Sequence, residues 1–217
     1  MPPIVSIVGK SKSGKTTLIE GLIRELKSRG YRVGTIKHAP RGMTFDKPDK
    51  DSWRHIQAGS ETTVINSPDK VVLIKPVTPA LTLDETAHLV GEDCDIILTE
   101  GFKQGNTPKI EVHRREVGSP LSSIRKLIAI VTDEPLETKT KQFSPQDIKS
   151  LADLLEGGFI KPQRERISLY VNSVPIPLTT FPREIISNIL LTMVSCLKGV
   201  GEVRSLDISL RKEPKSG

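Results

Sequence analysis

The sequence predicts an α/β fold, a mostly parallel sheet with helices on both faces, followed by a small α+β unit at the C-terminal end. Three observations lead there. The apolar run Ile4 to Val8 passes through a glycine- and lysine-rich loop into residues 15–29, where Leu18, Ile19, Leu22, Ile23 and Leu26 recur at helical spacing. Uninterrupted apolar strands then alternate with helical segments, the pattern of a parallel sheet covered on both faces. After Gly158 the strands shorten and alternate polar with apolar residues.

Element by element, residues 4–8 form the first strand and 15–29 the first helix, ended by Gly30. "YRVGTIKH" (31–38) is the second strand, and the polar stretch 39–50 an irregular loop. A short helix follows over 51–58. "TTVINS" and "VVLIKP" pair as a hairpin with its turn at Ser67 to Lys70. Thr82 and Glu85 have the spacing of a capping box, which starts a helix over 83–90. Three strands come next, "DIILTEG" (95–101), "PKIEVHR" (108–114) and "LIAIVTD" (127–133). Ser144 caps a helix over 145–155 with Pro145 in its first position, and Gly157-Gly158 closes it.

This assigns residues 1–158 to the larger domain and 159–217 to the smaller, with 159–165 as linker. In the smaller, "RISLYVNSVPIPL" makes a hairpin around Asn172-Ser173, residues 182–197 an apolar helix ending at Gly199, and "VRSLDISLR" a last strand. So short a unit leans on the larger domain or on a second copy of itself. Trp53, the single tryptophan, is expected on the core side of its helix.

Composition narrows the function. Hydrophobic residues make up 36% and charged residues 27% of the 217 positions, an ordinary globular balance. No apolar run is long enough to span a bilayer and the first ten residues carry no signal-peptide pattern, which leads to the expectation of a cytoplasmic protein that does not engage membranes. Lys and Arg number 32 against 26 Asp and Glu, a net +6, so an anionic ligand is favoured by the average field. Nucleic acid is not expected, because no basic stripe with interleaved aromatics or helix-turn-helix pattern accompanies the charge. Cys94 and Cys196 lie far apart, belong to no CxxC pair, and read as two buried small hydrophobes.

The loop carries the strongest functional signal. Gly9-Lys-Ser-Lys-Ser-Gly14-Lys15-Thr16 fits GxxxxGK[ST] between a strand and a helix, the context the P-loop motif requires. Its glycines let the backbone curl so that successive N–H groups face an anion, and the helix N-terminus adds partial positive charge. Lys15 reaches β- and γ-phosphates, the Thr16 hydroxyl ligates Mg²⁺, and Thr17 touches the α-phosphate.

A phosphate cradle needs an acid for its metal and a reader for its base. Glu100 stands at the carboxyl end of its strand, where open α/β sheets collect ligands. It either holds Mg²⁺ through a water or orients the attacking water; the structural alternative is a glutamate that starts a loop. Asp46 and Asp51 follow the second strand, also within reach of the metal. Thr132-Asp133 closes another apolar strand, and a carboxylate there accepts two hydrogen bonds from guanine N1 and N2; a solvated turn aspartate fits the same pattern. His38, His55 and His113 with Asp46 and Asp51 raise a transition-metal reading, but their spacings match no standard zinc pattern. A polar substrate or phosphate surface fits them better.

Four blocks, "GKSKSGKTTLIEGLI", "VGTIKH", "FDKPDKDSWRHIQAG" and "LTEGFKQGNTPKIEVHR", together resemble the molybdopterin-guanine dinucleotide biosynthesis protein B family, over residues 3 to 157. The resemblance implies a P-loop NTPase domain that dimerises, binds GTP with Mg²⁺, hydrolyses it weakly, and assists the guanylyltransferase that attaches GMP to molybdopterin. Carried onto this chain, it implies Gly9, Lys10, Ser11, Lys12, Ser13, Gly14, Lys15, Thr16 and Thr17 as the triphosphate cradle, with Lys15 and Glu100 in catalytic roles. Thr16, Glu100 and Asp51 attend the metal. Lys37, His38, Asp51, Arg54 and His55 line the adjoining surface, where molybdopterin would be the bound substrate. The chain departs from the family pattern after "IKH", reading Ala39-Pro40-Arg41-Gly42 in place of histidines, and its tail from 159 onward lies outside the short family form. The competing reading is an ATP-dependent kinase or ligase acting on a small anionic metabolite, with residues 37–57 as acceptor site.

Overall fold

A computed structural model describes residues 1–39, 47–91, 93–163, 167, 169–172, 174–176, 178–203, 206 and 208–210. The chain divides into two compact units, Met1–Arg164 and Glu165–Gly217.

In the first unit, strands β1 (Ile4–Val8), β2 (Val33–Lys37), β5 (Ile96–Glu100), β6 (Lys109–His113), β7 (Leu127–Thr132) and β8 (Gln142–Phe143) form one six-stranded sheet in the order β2-β5-β1-β6-β7-β8. Every pairing in it is parallel. Helices α1 (Lys15–Ser28) and α4 (Ile148–Leu155) cover one face, and Leu18, Leu22, Leu26, Leu151 and Leu155 bury there against Val5, Ile7, Leu98 and Ile110. Each such side chain contributes about 1.5–3 kcal/mol when fully buried. Helix α3 (Leu83–Val90) covers the opposite face through Ala87, packed with Ile4, Ile36 and Ile97. Both faces are therefore dry, which is why β1 and β5 carry continuous apolar runs.

The helix ends follow local chemistry. Gly30, in the left-handed region at φ 86°, closes α1. Its N–H donates to the Lys27 carbonyl and that of Tyr31 to the Leu26 carbonyl, the Schellman arrangement. At α3 the Thr82 hydroxyl accepts from the Glu85 N–H while the Glu85 carboxylate accepts from the Thr82 N–H at 2.7 Å, completing the capping box.

Several local expectations are corrected. Helix α4 begins at Ile148: the Asp147 carboxylate accepts from the Ser150 N–H, whereas the Ser144 hydroxyl bonds the Gln146 side chain. Gly157-Gly158 does not stop the chain, because Glu156–Ile160 continues as a π-type turn that buries Ile160 in the core, and a 3₁₀ turn follows over Lys161–Gln163. The short strand β8 was not foreseen; two residues are too few for any periodicity. Trp53 is half-buried, and helix α2 (Asp51–Gln57) buries no residue.

Strands β3 (Thr63–Asn66) and β4 (Val71–Ile74) form the expected hairpin as a separate two-stranded ribbon. In the second unit, β9 (Leu169–Val171) and β10 (Val174–Ile176) pair antiparallel, and helix α5 spans Thr180–Ser195. Val203, Leu206 and Ile208 to Leu210 form no strand, and the rest of the expected last strand lies outside the described residues. Cys94 is half-buried but Cys196 is exposed, correcting its expected burial: it follows a helix that buries no side chain. Among the described residues no helix is long and apolar enough to cross a membrane.

Candidate nucleotide site

Strand β1 ends against the loop at Gly9. A Cβ built there would lie 2.4 Å from the Val112 carbonyl oxygen and 2.7 Å from Ser13 Oγ, so the loop hugs β6 at a distance only glycine permits. Lys12 at φ 64° and Gly14 at φ 95° are both left-handed, the backbone alternation that turns successive N–H groups to one side. Gly14 is the N-cap of α1 and offers no side-chain cap, which leaves the first-turn N–H groups for a ligand.

Lys15 folds back across the loop, its ammonium donating to the Lys10 carbonyl at 2.7 Å. Burial lowers its pKa from the ordinary lysine value, Glu100 opposes that shift, and Lys103 and Lys37 add to it. The Thr16 hydroxyl donates to Glu100 Oε2 at 3.2 Å. Ser13 Oγ is buried and has no hydrogen-bond partner among the described residues. An unpaired buried hydroxyl is a standing cost.

Glu100 sits between two strands that fix it. Lys37 is its register partner on β2, the His38 N–H donates to the Glu100 carbonyl, and the Gly101 N–H to the Ile7 carbonyl. His38 packs its ring 4.7 Å from that of Phe102. Lys37 and His38 thus adjoin the cradle through Glu100. Asp51 and His55 are each exposed on α2, and among the described residues Asp51, Arg54 and His55 form no hydrogen bond or ion pair with the loop. A depression of about 560 Å³ beside His55 is lined by Ser60, Thr62, Thr63 and Val64. Asp46 lies outside the described residues.

On the far side of the cradle, Asp133 follows β7. Its Oδ1 accepts from the Arg115 N–H at 3.0 Å, and Thr132 exchanges hydrogen bonds with the Glu134 backbone. His113, almost fully buried, meets Glu134 at 2.8 Å. Thr132, Asp133, Glu134 and Phe143 line a depression of about 470 Å³. No group of three or more His, Cys, Asp or Glu residues that could hold a metal occurs among the described residues.

Two cations at the cradle were not singled out from the sequence. Lys103 is near enough to Lys15 to lower its pKa, and Arg114 donates from Nε to the Ser13 carbonyl at 3.2 Å. Both lie far from the loop in sequence; they fall inside the block "LTEGFKQGNTPKIEVHR" that carries the family resemblance, but nothing in it ties either side chain to the cradle.

A family model described as Molybdopterin guanine dinucleotide synthesis protein B, MobB, matches residues 4–133. The chain belongs to this family.

MobB relatives are similar over the same region. The molybdopterin-guanine dinucleotide biosynthesis adapter protein of Haemophilus influenzae is 38% identical over 156 residues, 71% of this chain and 88% of that protein. The Escherichia coli adapter protein is 33% identical over 161 residues, 71% of this chain and 92% of its own length. A crystal structure of molybdopterin-guanine biosynthesis protein B superposes with a TM-score of 0.60 at 30% identity, covering 72% of this chain and 99% of that one. A MobB homolog from Bacillus stearothermophilus gives 0.56 at 26% identity, over 74% and 99%. The MobB fold, a mostly parallel sheet with helices around a P-loop, is therefore shared.

Proposed function

We propose that this chain is an adapter for molybdenum cofactor guanylation that binds GTP with Mg²⁺ in the Gly9–Thr17 cradle and hydrolyses it slowly. The observation that carries the reading is the Thr16 hydroxyl beside the Glu100 carboxylate at the open end of a glycine-built loop. Hydroxyl and carboxylate oxygens are the donor set Mg²⁺ takes at nucleotide phosphates. Bound there, the metal would neutralise β- and γ-phosphate charge. Backbone N–H groups from Gly9 to Thr17 would hold the phosphates, the Lys15 ammonium would exchange the Lys10 carbonyl for a phosphate oxygen, and Ser13 Oγ is an unpaired donor beside them.

Asp133 is the proposed reader of guanine, because its second carboxylate oxygen is available to N–H donors and the depression beside it is open. Catalytic roles fall to Lys15 and Glu100 alone in this reading, which is why turnover is slow. Lys37, His38, Asp51, Arg54 and His55 are proposed to line the surface for molybdopterin and its guanylyltransferase, in the cytoplasm. Dimerisation is supported by the β3–β4 ribbon, which exposes Val64, Ile65, Val71, Val72 and Leu73. A lone ribbon is marginal in water, and exposed apolar surface of this kind seeks a partner.

The test is calorimetric binding of non-hydrolysable GTP and ATP analogues with Mg²⁺, to the intact protein and to Lys15→Ala. Tight binding of the GTP analogue, lost in Lys15→Ala, supports the adapter. Preference for the ATP analogue transfers weight to a kinase or ligase, and silence toward both removes nucleotide binding altogether.

A further inference from the structure

The sheet order lays the site out in a line. Glu100 ends β5, the cradle follows β1, Arg114 follows β6, and Asp133 follows β7, with β5, β1, β6 and β7 as successive neighbours. Thr16 and Glu100 mark one edge of the cradle. Arg114 marks the other: its Nε donates to the Ser13 carbonyl, and its guanidinium lies 3.2 to 3.6 Å from where a Cβ on Gly14 would be. The side chain thus packs beside Gly14, the residue that caps α1.

A structural brace would need only the Nε–H. Arg114 is half-buried, and among the described residues its two terminal nitrogens meet no acceptor. A guanidinium offers five donors in a planar fork suited to phosphate, and the terminal nitrogens of Arg114 are not among the buried unpartnered atoms, so they are open to a ligand. Its neighbours make an anion more fitting still, since Lys15, Lys37 and Lys103 crowd the same cradle with Glu100 as their nearby acid. The adjacent N–H, that of Arg115, binds Asp133 Oδ1. One dipeptide thus touches both the phosphate loop and the carboxylate proposed to read the base.

We propose that Arg114 is a nucleotide-binding residue whose free guanidinium nitrogens contact the α-phosphate end of the bound nucleotide, across the cradle from Thr16 and Glu100. A metal held by Thr16 and Glu100 would neutralise β- and γ-phosphate charge at that edge, which would leave the opposite edge to the phosphate bonded to the nucleoside. From there the chain of groups leads on toward Asp133. The inference rests on the nucleotide-binding reading above and adds a residue and a direction to it.

The experiment compares GDP and a non-hydrolysable GTP analogue, each with Mg²⁺, by calorimetry on intact wild-type protein and Arg114→Met, which keeps an apolar stem and removes the charge. Thermal unfolding without nucleotide is recorded for both, and Arg114→Gln repeats the series if the methionine variant fails to fold. An α-phosphate contact predicts that GDP and the GTP analogue weaken by the same factor, about 10- to 100-fold for a lost charge-assisted bond, with unfolding unchanged. Unchanged affinities overturn the proposal. So does a loss confined to the triphosphate, which would aim Arg114 at the γ-phosphate, or a loss accompanied by lower thermal stability of the nucleotide-free protein, which would make it a brace. If wild type binds neither nucleotide, the underlying reading fails first and takes this one with it.

Discussion

The Thr16 hydroxyl lies 3.2 Å from Glu100 Oε2, joining residues 84 positions apart in sequence. They meet because β5 inserts beside β1, in register from Ile4 with Ile97 to Ile7 with Glu100. The first turn of α1 and the carboxyl end of β5 then share one edge of the sheet. Thr16→Val removes the hydroxyl at nearly constant volume, and Glu100→Gln removes the charge at constant shape. Each is expected to lower the affinity of the GTP analogue in the presence of Mg²⁺ by about 10- to 100-fold while leaving the metal-free affinity within a few-fold. Calorimetry with and without EDTA checks this; an equal loss in both conditions would remove the metal from the account.

At Gly9 the backbone is left-handed, φ 152°, and a Cβ would stand 2.4 Å from the Val112 carbonyl oxygen. That oxygen belongs to the backbone and not to the end of a flexible side chain, so the loop itself must move. Gly9→Ala is expected to destabilise the protein by about 1–3 kcal/mol and to abolish nucleotide binding. Denaturant unfolding and calorimetry on the same preparation measure both effects.

Asp133 is held by the Arg115 N–H through one oxygen only. If the other accepts from guanine, Asp133→Asn places an amide where two donors converge and is expected to erase about 10- to 100-fold of any preference for GTP over ATP. Thr132→Ala, whose hydroxyl serves the Glu134 backbone, is expected to leave the preference alone. Competition between the two nucleotides gives the ratio directly.

Acid sensitivity is expected from the opposite end of the domain. Glu156 accepts from Arg29 at 2.7 Å, and Arg29 also meets Glu25 at 2.8 Å and Asp153 at 2.6 Å, tying α1 to α4. Hydrogen bonds from Arg29 first, then Lys161 and Tyr31, pull the Glu156 carboxyl from 4.5 down to about 2. A carboxyl whose pKa is lower folded than unfolded stabilises fully above its unfolded value and loses that contribution as pH falls toward the folded one. Stability should therefore decline between pH 4.5 and about 2, and Glu156→Gln should flatten that decline while lowering stability near neutrality. Unfolding midpoints across the acid range follow both.

Much of the larger unit was legible in the chain. Continuous apolar runs gave β1, β5 and β7, the capping box gave α3, and the GxxxxGK[ST] pattern between strand and helix marked the cradle, because each is set by contacts within a few residues. Local chemistry also misled where two signals competed: Ser144-Pro145 was a plausible cap, but Asp147 reaches an orphan N–H and wins. The last strand had only alternation behind it, and the described residues there form none.

Sequence by itself determined the family, the phosphate loop and the alternation of strands and helices, since periodicity and backbone-accepting turns are short-range properties. Tertiary structure alone decided what surrounds the loop. Glu100 had a named role but no partner until β5 paired with β1. Arg114 and Lys103 stood in a block with a family resemblance but with no role of their own, and they reach the cradle only because parallel crossovers bring the carboxyl ends of separated strands to one edge. The close approach of Gly9 to Val112 has the same origin: two backbones 103 positions apart meet where the sheet packs β6 against β1, and glycine is the residue that lets them touch.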